Sequence, residues 1–399
     1  MNVDELNKVA QAMVAPGKGI LAVDESSGTI KKRFDTIGVE STEDNRRDYR
    51  EMLFRSTDGM KHISGVILYD ETIWQKGKDG TPLVELIKKA GAIPGIKVDE
   101  GTKPLPLCPG EVVTVGLDKL ADRLPKYYEQ GARFAKWRAV IDVGPAIPSY
   151  TCVHANAHAL ARYAALCQTA QIVPIVEPEV LMDGDHDIDR CATVTEWVLK
   201  ETFQELYYNK VALEGMVLKP NMVIPGKKSG KRASVEEVAE KTVKVLKNCV
   251  PAAVPGIAFL SGGQSDEEAT AHLDAMNKLG NLPWRLTFSY GRALQHAPQT
   301  IWKGKSENVA AAQRAFSHRA RMNGLAAVGQ WKADMEKKRH KTPDVQKAAI
   351  VRPFAFIPLR AGSLAIAFVN CCRPDQAFSC KKPRLPNALP FPDVPLICT

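Results

Sequence analysis

Short apolar runs recur along the first 332 residues, and each ends in a charged or polar residue before a more polar stretch. The eight runs are 19–24, 65–70, 93–97, 134–136, 172–177, 215–219, 256–261 and 285–289. Near-continuous apolar runs of this length are typical of parallel strands that are buried on both faces. The stretches between them predict helices, of which residues 42–55 form one. Capping boxes at Ser234–Glu237 and Ser265–Glu268 predict the start of two more.

Eight strand and helix units over 332 residues fit a (β/α)8 TIM barrel, which usually needs about 250 residues and tolerates insertions. A doubly wound open sheet is the alternative. It has little support, because no Gly-x-Gly-x-x-Gly follows the first strand. We therefore predict an α/β protein whose barrel occupies residues 1–332.

Composition narrows the class of protein. The chain has 399 residues, of which 45% are hydrophobic, so it is not disordered overall. The strongest candidate for a membrane span, the apolar run 361–372, is too short to cross a bilayer. The acidic N-terminus does not resemble a secretory signal. Nine cysteines without even spacing favour free thiols. We expect a cytoplasmic globular protein with no membrane span.

The net charge of +9 is concentrated at the C-terminal end. Residues 333–399 hold eleven Lys or Arg and five Asp or Glu, a net of +6, which leaves +3 for the other residues. The same segment holds nine of the 26 prolines and four of the nine cysteines. We expect it to be a separate, poorly ordered basic tail, either a lineage-specific extension or a translated intron or shifted reading frame. Its erratic composition favours the second origin.

The polar residues that end the strands should meet at one mouth of the barrel, where TIM barrels carry their active sites. These residues are Asp24, Asp70, Lys97, Lys136, Glu177, Lys219, Ser261 and Ser289. Because alternate residues of a strand point to the same face, Arg138 lies on the face of Lys136, and Glu179 lies on the face of Glu177. Several converging charges of both signs indicate function, since unpaired buried charge is costly.

Three lysines and several carboxylates at one mouth favour amine chemistry. A neutral lysine can attack a ketone and form an iminium, which withdraws electrons from the adjacent carbon–carbon bond. Lys136 and Lys219 lie on the fourth and sixth strands, which can face each other across the mouth. Glu177 lies between them in chain order and could shuttle protons, and Asp24 could serve a substrate hydroxyl.

Two glycine-containing loops indicate phosphate binding. Ser261 and Gly262 follow the seventh strand, and Gly291 and Arg292 follow the eighth, which is where barrels often bind phosphate. A second basic set, Lys97, Arg138, Lys32 and Arg33, could hold another phosphate. Lys32 and Arg33 could equally belong to a solvated helix face.

One candidate metal motif is set aside. His154 and His158 have the i, i+4 spacing of a zinc-binding helix, but Ala155 stands where a metalloprotease has its glutamate, and no third ligand is evident. We therefore predict no metal.

The strand-end motifs resemble class I (Schiff-base) fructose-1,6-bisphosphate aldolases. The motifs, in chain order, are APGKGILAVDES (15–26), EDNRR (43–47), GIKVD (95–99), FAKWR (134–138), VPIVEPE (173–179), LKPNM (218–222), FLSGGQS (259–265) and TFSYGRAL (287–294). The resemblance implies that Lys219 forms the Schiff base and that Lys136 and Glu177 assist it. We also place Glu179, on the same strand face as Glu177, in the catalytic set. It also implies that Asp24 handles the hydroxyl whose deprotonation cleaves the bond.

The same resemblance implies the phosphate sites and the biology. Ser261, Gly262, Gly291 and Arg292 would hold the phosphate near the Schiff base. The phosphate far from the Schiff base would be held by Thr29, Lys97 and Arg138, with Ser26 nearby. The family cleaves fructose 1,6-bisphosphate reversibly to dihydroxyacetone phosphate and glyceraldehyde 3-phosphate, uses no cofactor or metal, and is usually a cytosolic homotetramer.

The chain departs from the family at its end. Family members end in a tyrosine that assists proton exchange, whereas the last tyrosine here is Tyr290. We therefore expect an active aldolase with a reduced rate. The alternative is a catalytically impaired binding protein whose basic tail contacts an acidic partner such as the cytoskeleton; specific nucleic-acid binding is not predicted.

Overall fold

The computed structural model describes residues 1–337 and contains a closed barrel of eight parallel strands. Ten strands occur in residues 1–337, eight of them in the barrel. They are β1 (Gly19–Val23), β2 (Ile63–Leu68), β3 (Ile93–Lys97), β4 (Thr102–Pro104), β5 (Val112–Thr114), β6 (Phe134–Ile141), β7 (Val173–Val180), β8 (Val217–Leu218), β9 (Gly256–Phe259) and β10 (Arg285–Tyr290). The barrel order is β1-β10-β9-β8-β7-β6-β3-β2, and β4 and β5 form a separate antiparallel pair. The predicted (β/α)8 fold is confirmed.

Helices connect the strands and surround the barrel. They are α1 (Val3–Met13), α2 (Ser27–Asp35), α3 (Glu43–Phe54), α4 (Thr57–Met60), α5 (Asp70–Trp74), α6 (Leu83–Lys89), α7 (Leu120–Glu129), α8 (Tyr150–Thr169), α9 (Ile188–Tyr208), α10 (Val235–Cys249), α11 (Asp266–Lys278), α12 (Arg292–Trp302) and α13 (Val309–Ala326). Short 3₁₀ turns span Leu213–Gly215, Ser306–Asn308 and Ala333–Lys337.

Local sequence sets several of these helix starts. The Ser265 hydroxyl accepts the backbone N–H of Glu268, and the Ser265 N–H donates to the Glu268 carboxylate, so the capping box at the start of α11 is complete. At the start of α10 the Ser234 hydroxyl accepts the N–H of Glu237, but the Ser234 N–H does not donate to the Glu237 carboxylate. The predicted helix 42–55 is α3, for which Thr42 is the N-cap.

Alternation along each strand turns an apolar barrel interior into a charged mouth. On β6, Phe134 packs inside the barrel, whereas Ala135 and Trp137 pack against the surrounding helices. Lys136 is the next inward position and lines the mouth. The same change occurs from Ile175 to Glu177 on β7. Successive inward positions on one strand thus place a hydrophobic layer of the barrel interior, the floor of the mouth, directly beneath the polar site.

Helix α1 closes the opposite end of the barrel. Its apolar face, which includes Leu6, Ala10 and Met13, joins the cluster formed by the inward strand residues. Phe134 fills this floor so closely that a Cβ at Gly95 would lie 2.2 Å from its ring. Glycine is therefore required there by packing on the neighbouring strand.

The structure differs from the predicted elements in three respects. Strand β6 continues to Ile141, and the β4–β5 hairpin between β3 and α7 has no counterpart among the predicted strands. Residues 333–337, assigned to the tail by composition, form a turn in which Glu336 binds Arg319 of α13. The remainder of the predicted tail, residues 338–399, lies outside the described residues. No helix among residues 1–337 combines the length and apolar character that crossing a membrane would require.

Candidate active site

A chain of four charged side chains, three of them buried and Asp24 partly buried, crosses the mouth of the barrel. The Nζ of Lys219, directly after β8, lies 3.1 Å from Glu177 Oε1 on β7. The other oxygen of Glu177 lies 3.3 Å from Lys136 Nζ on β6, which in turn lies 2.7 Å from Asp24 Oδ2 after β1. Glu177 therefore stands between the two lysines, as the sequence indicates.

The arrangement of the lysines differs from the expected one. Strands β6 and β8 are separated only by β7, so Lys136 and Lys219 are near neighbours rather than opposite each other. The contact that spans the barrel is instead the ion pair between Lys136 and Asp24, because three steps around the barrel separate β6 from β1.

The charges of this cluster determine which groups are ionised. Burial alone would raise the pKa of Asp24, but the ammonium groups of Lys136 and Lys219 outweigh it and hold this pKa well below its usual range. Burial would lower the pKa of Lys136, but the carboxylates of Asp24, Glu177 and Asp99 raise it well above the usual value. Asp24 is thus a carboxylate, and Lys136 is a permanent cation rather than a nucleophile.

Asp99 belongs to this cluster although the strand-end pattern did not select it. Its carboxylate lies 2.8 Å from Lys97 Nζ and 3.9 Å from Lys136 Nζ, and it accepts the backbone N–H of Arg138 at 3.3 Å. The signal was present in the sequence, since Asp99 follows Lys97 by two positions and so continues the same face.

The residues of the two predicted phosphate loops line the mouth at the ends of β9 and β10. They are Ser261, Gly262, Gly291 and Arg292. Gly262 has a φ of +58° and lies so close to Met182 that a Cβ would approach its Cε to 2.1 Å. Gly291 is the N-cap of α12, so the free N–H groups of that helix point towards the mouth. Arg292 forms no ion pair with any residue in 1–337. The two glycine-containing loops, the start of α12 and the unpaired Arg292 can together bind an anion, as the loop pattern predicts.

Two members of the second basic set, Lys97 and Arg138, are already engaged in ion pairs. Lys97 pairs with Asp99, and Arg138 pairs with Glu179 two positions beyond Glu177 on β7. The hydroxyls of Ser26 and Thr29 lie 3.1 Å apart at the start of α2, which Ser26 caps. An anion here would meet two hydroxyls and the remaining donors of two paired cations.

Lys32 and Arg33 lie on α2 and differ from each other. Arg33 forms an ion pair with Glu25, whose carboxylate also accepts the amide of Gln295 at 2.7 Å. Lys32 is exposed and has no carboxylate within ion-pair distance among the described residues. Arg33 therefore has a structural partner, whereas Lys32 remains available to a ligand.

All fifteen predicted site residues line a single cavity of about 470 Å³ at the mouth. Its wall also contains Ser289, which the strand-end pattern predicts at the mouth, and Glu25, which the prediction omits. The buried hydroxyl of Ser289 has no hydrogen-bond partner among the described residues and is free to meet a ligand. Asp70 does not belong there, because it begins α5 and accepts a hydrogen bond from Tyr127 at 2.7 Å.

This cavity suits an anionic substrate with a carbonyl group. A buried lysine and a carboxylate 3.1 Å away supply the nucleophile and the proton shuttle for imine formation. The loop cradle at one side and the basic set at the other leave room for an anionic group at each end.

Comparison with known proteins relates this chain to one enzyme family. A family model described as fructose-bisphosphate aldolase class-I matches residues 5–349. A probable fructose-bisphosphate aldolase class 1 of Xanthomonas campestris is 60% identical over 333 residues, which cover 83% of this chain and 100% of the relative. The cytosolic fructose-bisphosphate aldolase 4 of Arabidopsis thaliana is 54% identical over 333 residues, 83% of this chain and 85% of the relative.

A solved structure is similar as well. It is the fructose-bisphosphate aldolase of Plasmodium falciparum, determined as a ternary complex with TRAP and a small-molecule inhibitor. The TM-score is 0.82 and the identity 49%, over 83% of this chain and 96% of the other.

Proposed function

This chain belongs to the class I fructose-bisphosphate aldolase family, and we propose that it cleaves fructose 1,6-bisphosphate reversibly to dihydroxyacetone phosphate and glyceraldehyde 3-phosphate through a Schiff base on Lys219. The observation that carries the proposal is the buried Lys219 Nζ at 3.1 Å from Glu177, inside the cavity at the barrel mouth. Class I aldolases use the lysine imine in place of a metal ion, and the route proposed here needs no cofactor.

The first half of the reaction builds the electron sink. The neutral amine of Lys219 attacks the substrate ketone and forms a carbinolamine, which loses water to give an iminium. Glu177 is placed to accept the proton from Lys219 and to donate one to the departing hydroxyl. Lys136 stays protonated beside it, with its Nζ 3.3 Å from the Glu177 carboxylate.

The second half breaks the carbon–carbon bond. A base removes the proton of the substrate hydroxyl next to that bond, and the bonding electrons move to the iminium nitrogen as the aldehyde leaves. The resulting enamine is protonated at carbon and hydrolysed, which releases the ketone product and restores Lys219. Asp24 is ionised and can accept this proton, but its depressed pKa makes it a weak base while Lys136 stays at 2.7 Å. Substrate binding must therefore loosen that pair for Asp24 to act.

The phosphates would anchor the two ends of the substrate. We assign the phosphate near the Schiff base to Ser261, Gly262, Gly291 and Arg292. The far phosphate falls to Thr29, Lys97 and Arg138, with Ser26 nearby and the unpaired Lys32 as an additional cation. Arg33, which binds Glu25, and Glu179, which binds Arg138, would act by positioning neighbours.

Assembly, compartment and domain boundary are further proposals. We expect a homotetramer, as the resemblance implies, and a cytosolic location, for which two Arabidopsis relatives named cytosolic give support. The domain boundary at Lys332 stays a proposal: the Xanthomonas relative matches 333 residues, close to the length of the proposed barrel, but the family model matches residues 5–349. The competing function as a binding protein depends on a tail that lies, beyond Lys337, outside the described residues, and no observation favours it.

Steady-state cleavage of fructose 1,6-bisphosphate by Lys219→Ala and Lys219→Arg tests the proposal. Both variants should lose essentially all turnover, because alanine has no amine and a guanidinium stays protonated. Lys210→Arg, on the loop after α9, is the matched control and should keep normal turnover. Substantial activity in Lys219→Ala would overturn the assignment.

A further inference from the structure

Two histidines and two glutamates face each other on neighbouring helices outside the barrel mouth. His154 Nδ1 on α8 lies 2.8 Å from Glu201 Oε1 and 3.6 Å from Glu205 Oε1 on α9. One turn along α8, His158 Nδ1 lies 2.8 Å from Glu205 Oε2. The histidine pair set aside for want of a third ligand thus has two carboxylates beside it, which the sequence spacing could not reveal.

The two carboxylates lack a permanent cation. Glu205 is nearly buried, its side chain being 7% exposed, and Glu201 is 19% exposed. No lysine or arginine of residues 1–337 lies within 4.0 Å of either one; the basic groups within that distance are imidazoles alone. Glu201 and Glu205 also share one imidazole nitrogen, which can donate only a single hydrogen bond. Two adjacent anions with so little compensation attract a cation.

We propose that His154, His158, Glu201 and Glu205 form a binding site for a divalent transition-metal ion. Imidazole nitrogen and carboxylate oxygen are ligands that Zn²⁺ accepts in tetrahedral sites. The candidate atoms of His154, Glu201 and Glu205 already lie within 4.8 Å of one another. Zn²⁺ with bonds of about 2.1 Å holds its ligand atoms roughly 3.4 Å apart, so a small inward rotation completes the site.

The side chains can make that rotation. Both histidine side chains are close to half exposed, at 44% and 48%. The ring of Tyr150 stacks on His154 with centroids 5.4 Å apart, which supports one face of the imidazole and leaves its edge towards the carboxylates. None of the four ligands lines the cavity at the barrel mouth. The ion would therefore join α8 to α9 and stabilise the fold without taking part in the chemistry.

Binding of Zn²⁺ to the full chain, first stripped with a chelator, tests this site. Isothermal titration calorimetry should give one ion per chain, and Zn²⁺ should raise the thermal unfolding midpoint. The titration is repeated after accessible thiols are blocked with iodoacetamide, since cysteine also binds zinc. The binding should survive that treatment.

Variants locate the ion. His154→Ala and Glu201→Gln should each weaken Zn²⁺ binding by more than about tenfold and abolish the rise in the unfolding midpoint. His296→Ala, at an exposed histidine elsewhere, is the control and should bind as the parent does. The proposal is overturned if thiol-blocked protein binds no Zn²⁺, or if both ligand variants retain the parent affinity. A hydrogen-bonded His–Glu network without metal affinity would give the first of these results.

Discussion

Glu177 shares its carboxylate between Lys219 at 3.1 Å and Lys136 at 3.3 Å. This relationship separates the roles of two lysines that look alike in the sequence. Lys136 is also bound to Asp24 and held as a cation, whereas Lys219 has Glu177 as its one carboxylate partner among the described residues. The lysine that we propose as the nucleophile is thus the one with the single anionic neighbour, and each further carboxylate near an amine favours its unreactive ammonium form.

Replacing Glu177 by glutamine should slow the chemistry far more than it weakens substrate binding. The amide keeps the shape but can no longer accept the proton of Lys219, so we expect kcat to fall by about 10²- to 10⁴-fold. Steady-state kinetics with fructose 1,6-bisphosphate measures this, with Glu129→Gln on the exposed end of α7 as a control. A Glu177→Gln enzyme with unchanged kcat would exclude Glu177 as the proton shuttle.

The two proposed phosphate sites can be separated by the choice of substrate. Thr29→Val removes one hydroxyl from the far site and should raise KM for fructose 1,6-bisphosphate by about tenfold or more, as expected for a lost hydrogen bond to a charged group. It should leave fructose 1-phosphate unaffected, because that substrate has no far phosphate. Arg292→Ala should raise KM for both substrates. Equal effects of Thr29→Val on the two substrates would contradict the assignment of the sites.

Glu336 should make stability depend on acid pH. It accepts hydrogen bonds from Arg319 at 2.6 Å and from Trp331 at 3.0 Å. Burial opposes its ionisation, but His318 and Arg319 prevail and lower its pKa to about 2. A carboxyl with a depressed pKa contributes stability above the pKa of the unfolded chain, about 4.5, and that contribution disappears as the pH falls towards 2.

Urea unfolding of the parent and of Glu336→Gln checks this. Near pH 7 the variant should be less stable by about 1.5–3 kcal/mol, the range for a hydrogen bond to a charged group. The difference should shrink steadily between pH 4.5 and pH 2. A difference that stays constant over this range would show that Glu336 acts by packing rather than by charge. Glu307→Gln, at an exposed position, provides the control for losing one carboxylate.

The sequence predicted the barrel and its mouth because both follow from the two-residue alternation of side chains along each strand. Alternation along a strand connects Phe134 in the floor to Lys136 in the mouth, and the same period connects Ile175 to Glu177. Asp99 obeys this rule and was missed only because the apolar run was taken to end at Lys97. The β4–β5 hairpin gave no comparable signal, since its strands have three residues each, too few for a period of two to be recognised.

Ion pairing could not be predicted in the same way. Arg33 and Arg292 look equally suited to phosphate in the sequence, yet Arg33 binds Glu25 and Arg292 has no such partner within the described chain. Which cation is free depends on how α2 and the end of β1 pack together. The carboxylates near His154 were invisible for a similar reason, because 47 residues separate His154 from Glu201 and helix packing alone brings them together.

Reductive trapping of the Schiff base tests the central claim most directly. Sodium borohydride added with dihydroxyacetone phosphate reduces the carbon–nitrogen double bond of the imine to a stable amine. Peptide mass spectrometry should then find one adduct per chain, on Lys219, and none in Lys219→Ala. An adduct on Lys136 would contradict the separation of roles between the two lysines, and the absence of any adduct on the active enzyme would contradict the Schiff-base account itself.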